Sequence, residues 1–136
     1  MEHWNALVKR DGRRRVPGTI VIVEDEPDLG ALLGDVLETV GYSAVLTTSG
    51  RAVEVIQEAD PIAIVTDYMM PGMNGAEVVQ RIRQVMLESA PPVILVTGLQ
   101  NAAELAASLG AKAYLRKPFD MDDLISAVQQ VSGAVA

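Results

Sequence analysis

The chain has 136 residues, 49% of them apolar, and a formal net charge of −7. That length gives one domain with enough chain to bury a core, and no apolar run approaches the ~20 residues of a membrane span. There is no cysteine, which excludes disulfides, thiol nucleophiles and thiolate metal sites, and the single His3 argues against histidine catalysis or a histidine-built metal centre.

The charge is unevenly spread. Residues 1–18 hold Lys9, Arg10, Arg13, Arg14 and Arg15 against Glu2 and Asp11, a local charge of +3, which leaves −10 on the remainder. A body that acidic is a poor nucleic-acid binder, because phosphate contact needs basic surface. The arm is read as a solvated extension of an acidic domain. MEHWNALVKRDGRRR lacks the apolar middle of a secretory signal, so a cytoplasmic protein is expected. Trp4, Leu7 and Val8 at helical spacing predict a short amphipathic helix, and Val16-Pro17-Gly18 separates arm 1–18 from a domain over 19–133.

From Thr19 strands and helices alternate. TIVIV (19–23) is a strand, and a helix is predicted over 27–40. Leu29, Leu32, Leu33, Val36, Leu37 and Val40 form its apolar stripe, with proline at its start and Gly41 at its end. Residues 43–47 predict the second strand and 50–59 the second helix, with Ala52, Ile56 and Ala59 inward. The third strand covers 61–66. Asn74 then caps a helix to about 88 that turns Val78, Val79, Ile82, Val85 and Met86 inward. Residues 93–96 form the fourth strand, and an alanine-rich helix over 101–109 ends at Gly110. The fifth strand covers 111–115, and the last helix covers 121–131, with Leu124, Ile125, Val128 and Val131 inward. Five such units predict an α/β fold with a doubly wound parallel sheet.

Sites in open α/β sheets lie beyond the carboxyl ends of the strands. Glu24, Asp25 and Glu26 follow the first strand, Asp67 the third, Thr97-Gly98 the fourth and Arg116-Lys117-Pro118 the fifth. Two carboxylates ~5 Å apart repel by roughly 3 kcal/mol at an effective dielectric of ~20. Three acids gathered at one edge therefore call for a cation and for Lys117. All-oxygen ligands suit Mg²⁺ or Mn²⁺.

From about Thr19 to Val131 the chain resembles a response-regulator receiver domain, the phosphoacceptor half of two-component signalling. VEDEP (23–27) resembles the family's acidic pair, TDYMMPGMNG (66–75) its phosphorylation loop, VTG (96–98) its switch hydroxyl and GAKAYLRKPF (110–119) its lysine and switch aromatic. The resemblance implies a flavodoxin-like five-stranded sheet of order 2-1-3-4-5 with five helices, and a cis peptide between Lys117 and Pro118. It implies Asp67 as the residue phosphorylated from a histidine kinase or a phosphotransfer histidine. Mg²⁺ would be held by Asp25, Asp67 and the Met69 backbone carbonyl, with Glu24 acting through water. Thr97, Gly98 and Lys117 would surround the phosphoryl group, and Tyr114 would switch the face made by the fourth helix, fifth strand and fifth helix toward a downstream partner or a second copy. Met69 and Leu99, apolar at positions next to the site, would leave the acyl phosphate long-lived. Asp28, Leu32 and Asp35 on the first helix would face the phosphoryl donor. Such a protein is a signalling phosphoacceptor that promotes its own phosphorylation and dephosphorylation. After Val131 only SGAVA remains, which leaves a stand-alone receiver and a piece of a longer regulator both open.

Three rivals share parts of the pattern. A flavodoxin-like cofactor protein wants a hydroxyl- and glycine-rich loop where this chain has EDEPD. An aspartate-nucleophile phosphatase wants a second aspartate where Met69 stands. A receiver-like interaction module that is never phosphorylated would not need all the functional positions filled, and here they are.

Overall fold

The computed structural model describes residues 18–133. The arm helix expected at Trp4, Leu7 and Val8 lies outside the described residues. Five parallel strands, β1 (Thr19–Val23), β2 (Ser43–Thr47), β3 (Ala63–Asp67), β4 (Val93–Thr97) and β5 (Ala113–Arg116), lie in the order β2-β1-β3-β4-β5. They alternate with α1 (Pro27–Thr39), α2 (Ala52–Ala59), α3 (Gly75–Met86), α4 (Ala102–Leu109) and α5 (Met121–Ser132). Short 3₁₀ turns follow β2 at Ser49–Arg51 and α3 at Leu87–Ser89.

Burial explains the composition of the strands. Every residue of β3 and β4 is buried, as a strand covered on both faces requires, whereas edge strands β2 and β5 are only partly covered. Ile20, Ile22, Val65 and Ile94 pack on one face against Leu33 and Leu37 of α1 and Leu124 and Val128 of α5. Val21, Val23 and Ile64 pack on the other against Ile56 of α2 and Val78, Val79 and Ile82 of α3. Alternate residues of one strand thus feed two cores. The chain winds outward from β1 to β2 and then returns across β1 to β3. The carboxyl ends of β1 and β3 consequently flank the point where the winding reverses.

Local signals place the ends. Asn74 Oδ1 accepts from the Glu77 N–H at 3.0 Å while Glu77 Oε1 accepts from the Asn74 N–H at 3.1 Å, a reciprocal cap that starts α3. Gly110 ends α4 at φ +69, and Arg83 of α3 donates to the carbonyls of Leu109 and Gly110 there. The cation thus satisfies carbonyls that the helix leaves unpaired.

Three expectations differ. α3 stops at Met86, before the 3₁₀ turn, and Val85 is half exposed rather than inward. Leu32 is also half exposed, because its side chain lies about 100° around α1 from that of Leu33, and Leu33 and Leu37 are the residues that face inward. β3 and β5 begin two residues later than the apolar runs suggest, at Ala63 and Ala113, and each extends one residue further, to Asp67 and Arg116.

Candidate functional site

The strand register sets the site. Val23 pairs with Thr66, Asp67 with Val96 and Thr97 with Arg116, so the residues that end or follow β1, β3, β4 and β5 emerge side by side. Asp67 closes β3 and is only 7% exposed. A carboxylate so buried needs a partner. Lys117 Nζ donates to Asp67 Oδ2 at 3.0 Å. Lys117 is in turn anchored by its own N–H, which donates to the Thr97 carbonyl at 2.8 Å, and the Lys117–Pro118 peptide is cis, as expected.

The loop behind Asp67 folds back onto the strand. The Tyr68 N–H donates to the Val96 carbonyl at 2.9 Å and the Gly75 N–H to the Tyr68 carbonyl at 2.8 Å. Gly72, at φ +82, completes the turn begun by Pro71. At Gly75 a Cβ would lie 2.6 Å from the backbone oxygen of Asp67 and 3.0 Å from Tyr68 Cα. Glycine is what lets α3 start directly against the acid.

Glu24 belongs to the same electrostatic unit. Burial pushes its carboxyl above the ordinary value; the Glu26 N–H and the Lys117 ammonium act against that rise, and the negative charge of Asp67 adds to it. The Glu26 N–H donates to Glu24 Oε2 at 3.0 Å, and the Glu24 N–H donates to the Thr47 carbonyl at the same distance.

Asp25 takes a different course. Its Oδ1 accepts from the Ser49 N–H at 2.7 Å and its Oδ2 from the Ser49 hydroxyl at 3.0 Å. The pairing of Val23 with Thr47 carries the 3₁₀ turn alongside Asp25, and two donors there are a better environment than a second carboxylate. In this structure the acids expected to gather divide between two places. Glu24 and Asp67 come together, Asp25 leans on Ser49, and among the described residues no group of three or more such side chains is arranged to hold a metal ion. The oxygen-only donors of Glu24 and Asp67 still match a hard divalent cation in kind; Asp25 joins them only by leaving Ser49.

The remaining expected residues surround this centre. Thr97 is fully buried, and its Oγ1 accepts from the Leu99 N–H at 3.1 Å. Gly98 is open: a Cβ there would meet nothing nearer than Lys117 Cβ, at 3.9 Å. Tyr114 is 45% exposed on β5. Met69 is 61% exposed and Leu99 37%, so it is Met70, not Met69, that packs beneath the loop. Asp28 and Asp35 are exposed on α1. Sequence reasoning missed Ser49 and Gly75 as contributors. The only signals were a small polar residue before Gly50 and a glycine directly after the helix cap Asn74.

The family model for the response regulator receiver domain matches residues 20–129. Among curated relatives, the transcriptional regulatory protein TcrA of Mycobacterium tuberculosis is 37% identical over 122 residues, 87% of this chain and 47% of that protein. The DNA-binding response regulator MtrA of Mycolicibacterium smegmatis is 31% identical over 113 residues, 81% of this chain and 48% of that protein. The chain thus spans about half the length of these relatives. Among solved structures, a response regulator receiver protein from Burkholderia phymatum superposes with a TM-score of 0.74 at 34% identity, covering 87% of this chain and 97% of that one. The receiver domain of sensor histidine kinase PA1611 from Pseudomonas aeruginosa, solved with a magnesium ion coordinated in its active-site cleft, gives 0.75 at 28%, covering 85% and 98%. A match running from β1 into α5 leaves no other assignment: this chain belongs to the response-regulator receiver domains of two-component systems.

Proposed function

We propose that residues 19–133 act as a phosphoacceptor domain in which Asp67 takes a phosphoryl group from a phosphohistidine. A carboxylate oxygen of Asp67 bonds to phosphorus, the phosphorus–nitrogen bond breaks, and its electron pair stays on the imidazole of the donor. The observation that carries this reading is the Lys117 ammonium 3.0 Å from the buried Asp67 carboxylate, a cation already in place for the oxygens that arrive. Little covalent activation is needed, so the protein's task is positioning and charge compensation.

Mg²⁺ is the proposed cofactor, held by Glu24 and Asp67 with Asp25 and the Met69 carbonyl as further ligands, and it would offset the incoming negative charge. The magnesium in the related PA1611 receiver supports that choice. Lys117 and the Thr97 hydroxyl are the proposed phosphoryl partners, with Gly98 leaving their approach open. When Thr97 turns toward the phosphoryl group it gives up the Leu99 N–H, and Tyr114, now half exposed, moves inward to reshape the face of α4, β5 and α5. That face is the proposed surface for a downstream protein or a second copy. The phosphoryl donor, a histidine kinase or a histidine phosphotransfer protein, docks near Asp28, Leu32 and Asp35. Among the described residues no helix is long and apolar enough to cross a membrane, and we assign the domain to the cytoplasm. Residues 1–18 form a basic arm, and the domain itself makes no direct nucleic-acid contact; relatives such as MtrA are DNA-binding over a length this chain covers only in part.

The test is incubation with acetyl phosphate and Mg²⁺ followed by intact mass measurement. A base-labile gain of one phosphoryl group that disappears in Asp67→Asn is expected. The same gain in Asp67→Asn, or none in the parent, contradicts the proposal. In the phosphorylated parent, Met69→Asn with Leu99→Glu is expected to speed dephosphorylation, because both replacements put polar groups where water attacks.

A further inference from the structure

Asp25 is the acid that the centre lacks, and one residue accounts for its position. Ser49 supplies both donors, N–H to Oδ1 at 2.7 Å and hydroxyl to Oδ2 at 3.0 Å, from the first residue of a 3₁₀ turn. Ser49 is itself buried, 6% exposed, and its place follows from β2 rather than from the acids, since Thr47 pairs with Val23 and accepts from the Glu24 N–H. Asp25 and Glu24 both line a cleft of 340 Å³ that also includes Pro27, Gly30, Leu46 and Arg51. The Asp25 carboxylate thus has open space beside it, shared with Glu24.

We propose that Ser49 is a positioning residue that holds Asp25 away from the Glu24–Asp67 pair and thereby sets the affinity of the site for a divalent cation. The inference rests on the metal site proposed above. Two donors to one carboxylate stabilise its charge where it lies, so a metal ion must compete with them for the same oxygens. Deleting the hydroxyl removes one competitor and leaves the backbone N–H. Cation binding then tightens, because the ion gains a ligand at lower cost in broken hydrogen bonds.

The experiment is isothermal titration calorimetry of the chain with MgCl₂, on the parent, Ser49→Ala, Ser49→Cys and Ser49→Thr. Ser49→Ala is expected to bind roughly threefold to tenfold more tightly than the parent. Ser49→Cys keeps the buried volume with a weak donor and is expected to follow Ser49→Ala, which covers the case of an alanine variant that does not fold. Ser49→Thr keeps the hydroxyl and is expected to bind like the parent, an outcome that a merely structural role for the side chain would not produce. Urea unfolding with and without Mg²⁺ provides a second readout, since Mg²⁺ should raise the midpoint more in Ser49→Ala than in the parent. Equal or weaker magnesium binding in Ser49→Ala and Ser49→Cys overturns the role given to Ser49 and leaves the metal site standing. A parent that takes up no magnesium overturns both.

Discussion

Two adjacent acids leave β1 and meet opposite fates. Glu24 enters the centre of the sheet edge, where it shares the Lys117 ammonium with buried Asp67. Asp25 turns to the flank, where Ser49 donates to both of its oxygens. The central group carries surplus negative charge held in check by one lysine, whereas the flank is balanced by hydrogen bonds alone. Compensation at the centre is incomplete, and burial with the neighbouring Asp67 charge raises the Glu24 carboxyl there.

The contrast is sharpest in what each region tolerates. Gly75→Ala drives a methyl group to 2.6 Å from the Asp67 backbone oxygen and is expected to cost about 1–3 kcal/mol in urea unfolding. Gly50→Ala, in the turn beside Asp25, meets nothing within 4 Å and is expected to leave stability unchanged or to raise it by about 0.5 kcal/mol. Equal losses at the two glycines would erase the distinction between a crowded centre and an open flank.

A smaller effect is expected from Lys117→Ala, which strands the Asp67 carboxylate. The cost is about 1–2 kcal/mol, kept low because the lysine side chain is 36% exposed and its charge is screened. The loss should shrink when Glu24→Gln is already present, since the lysine then faces one negative charge fewer; strictly additive costs would contradict a shared centre.

The smallest effect is a pH dependence. The folded-state pKa of Glu24 is raised, so its contribution to stability is fully present in acid and is lost as pH rises through that pKa. Glu24→Gln should therefore be more stable than the parent at neutral pH, with an advantage that fades on acidification. An advantage that grows on acidification would reverse the sign and refute the assignment.

The alternation of strands and helices, the two-sided burial of β3 and β4 and the acids at strand ends were all legible in the sequence. Each depends on local periodicity or on a rule that holds for every parallel sheet. The strand order came from the family resemblance, and the structure carries it. What stayed hidden depends on contacts distant along the chain. Ser49 reaches Asp25 across 24 positions because β2 lies beside β1, and no pattern around either residue announces the pair. Gly75 stood only as the residue after the cap Asn74, yet its constraint is the backbone of Asp67. Val85 matched the helical stripe of α3 but lies half exposed at its margin, while Met86, one residue further, still packs on the core.

The most direct test of Asp67 as the acceptor is chemical trapping. The chain is treated with acetyl phosphate and Mg²⁺ and reduced with borohydride, which converts an aspartyl phosphate to homoserine, and its peptides are then sequenced by mass spectrometry. Homoserine at position 67 and nowhere else is predicted. Homoserine at Asp25 or another acid, or an intact aspartate at 67 in a chain that has gained a phosphoryl group, would contradict the account.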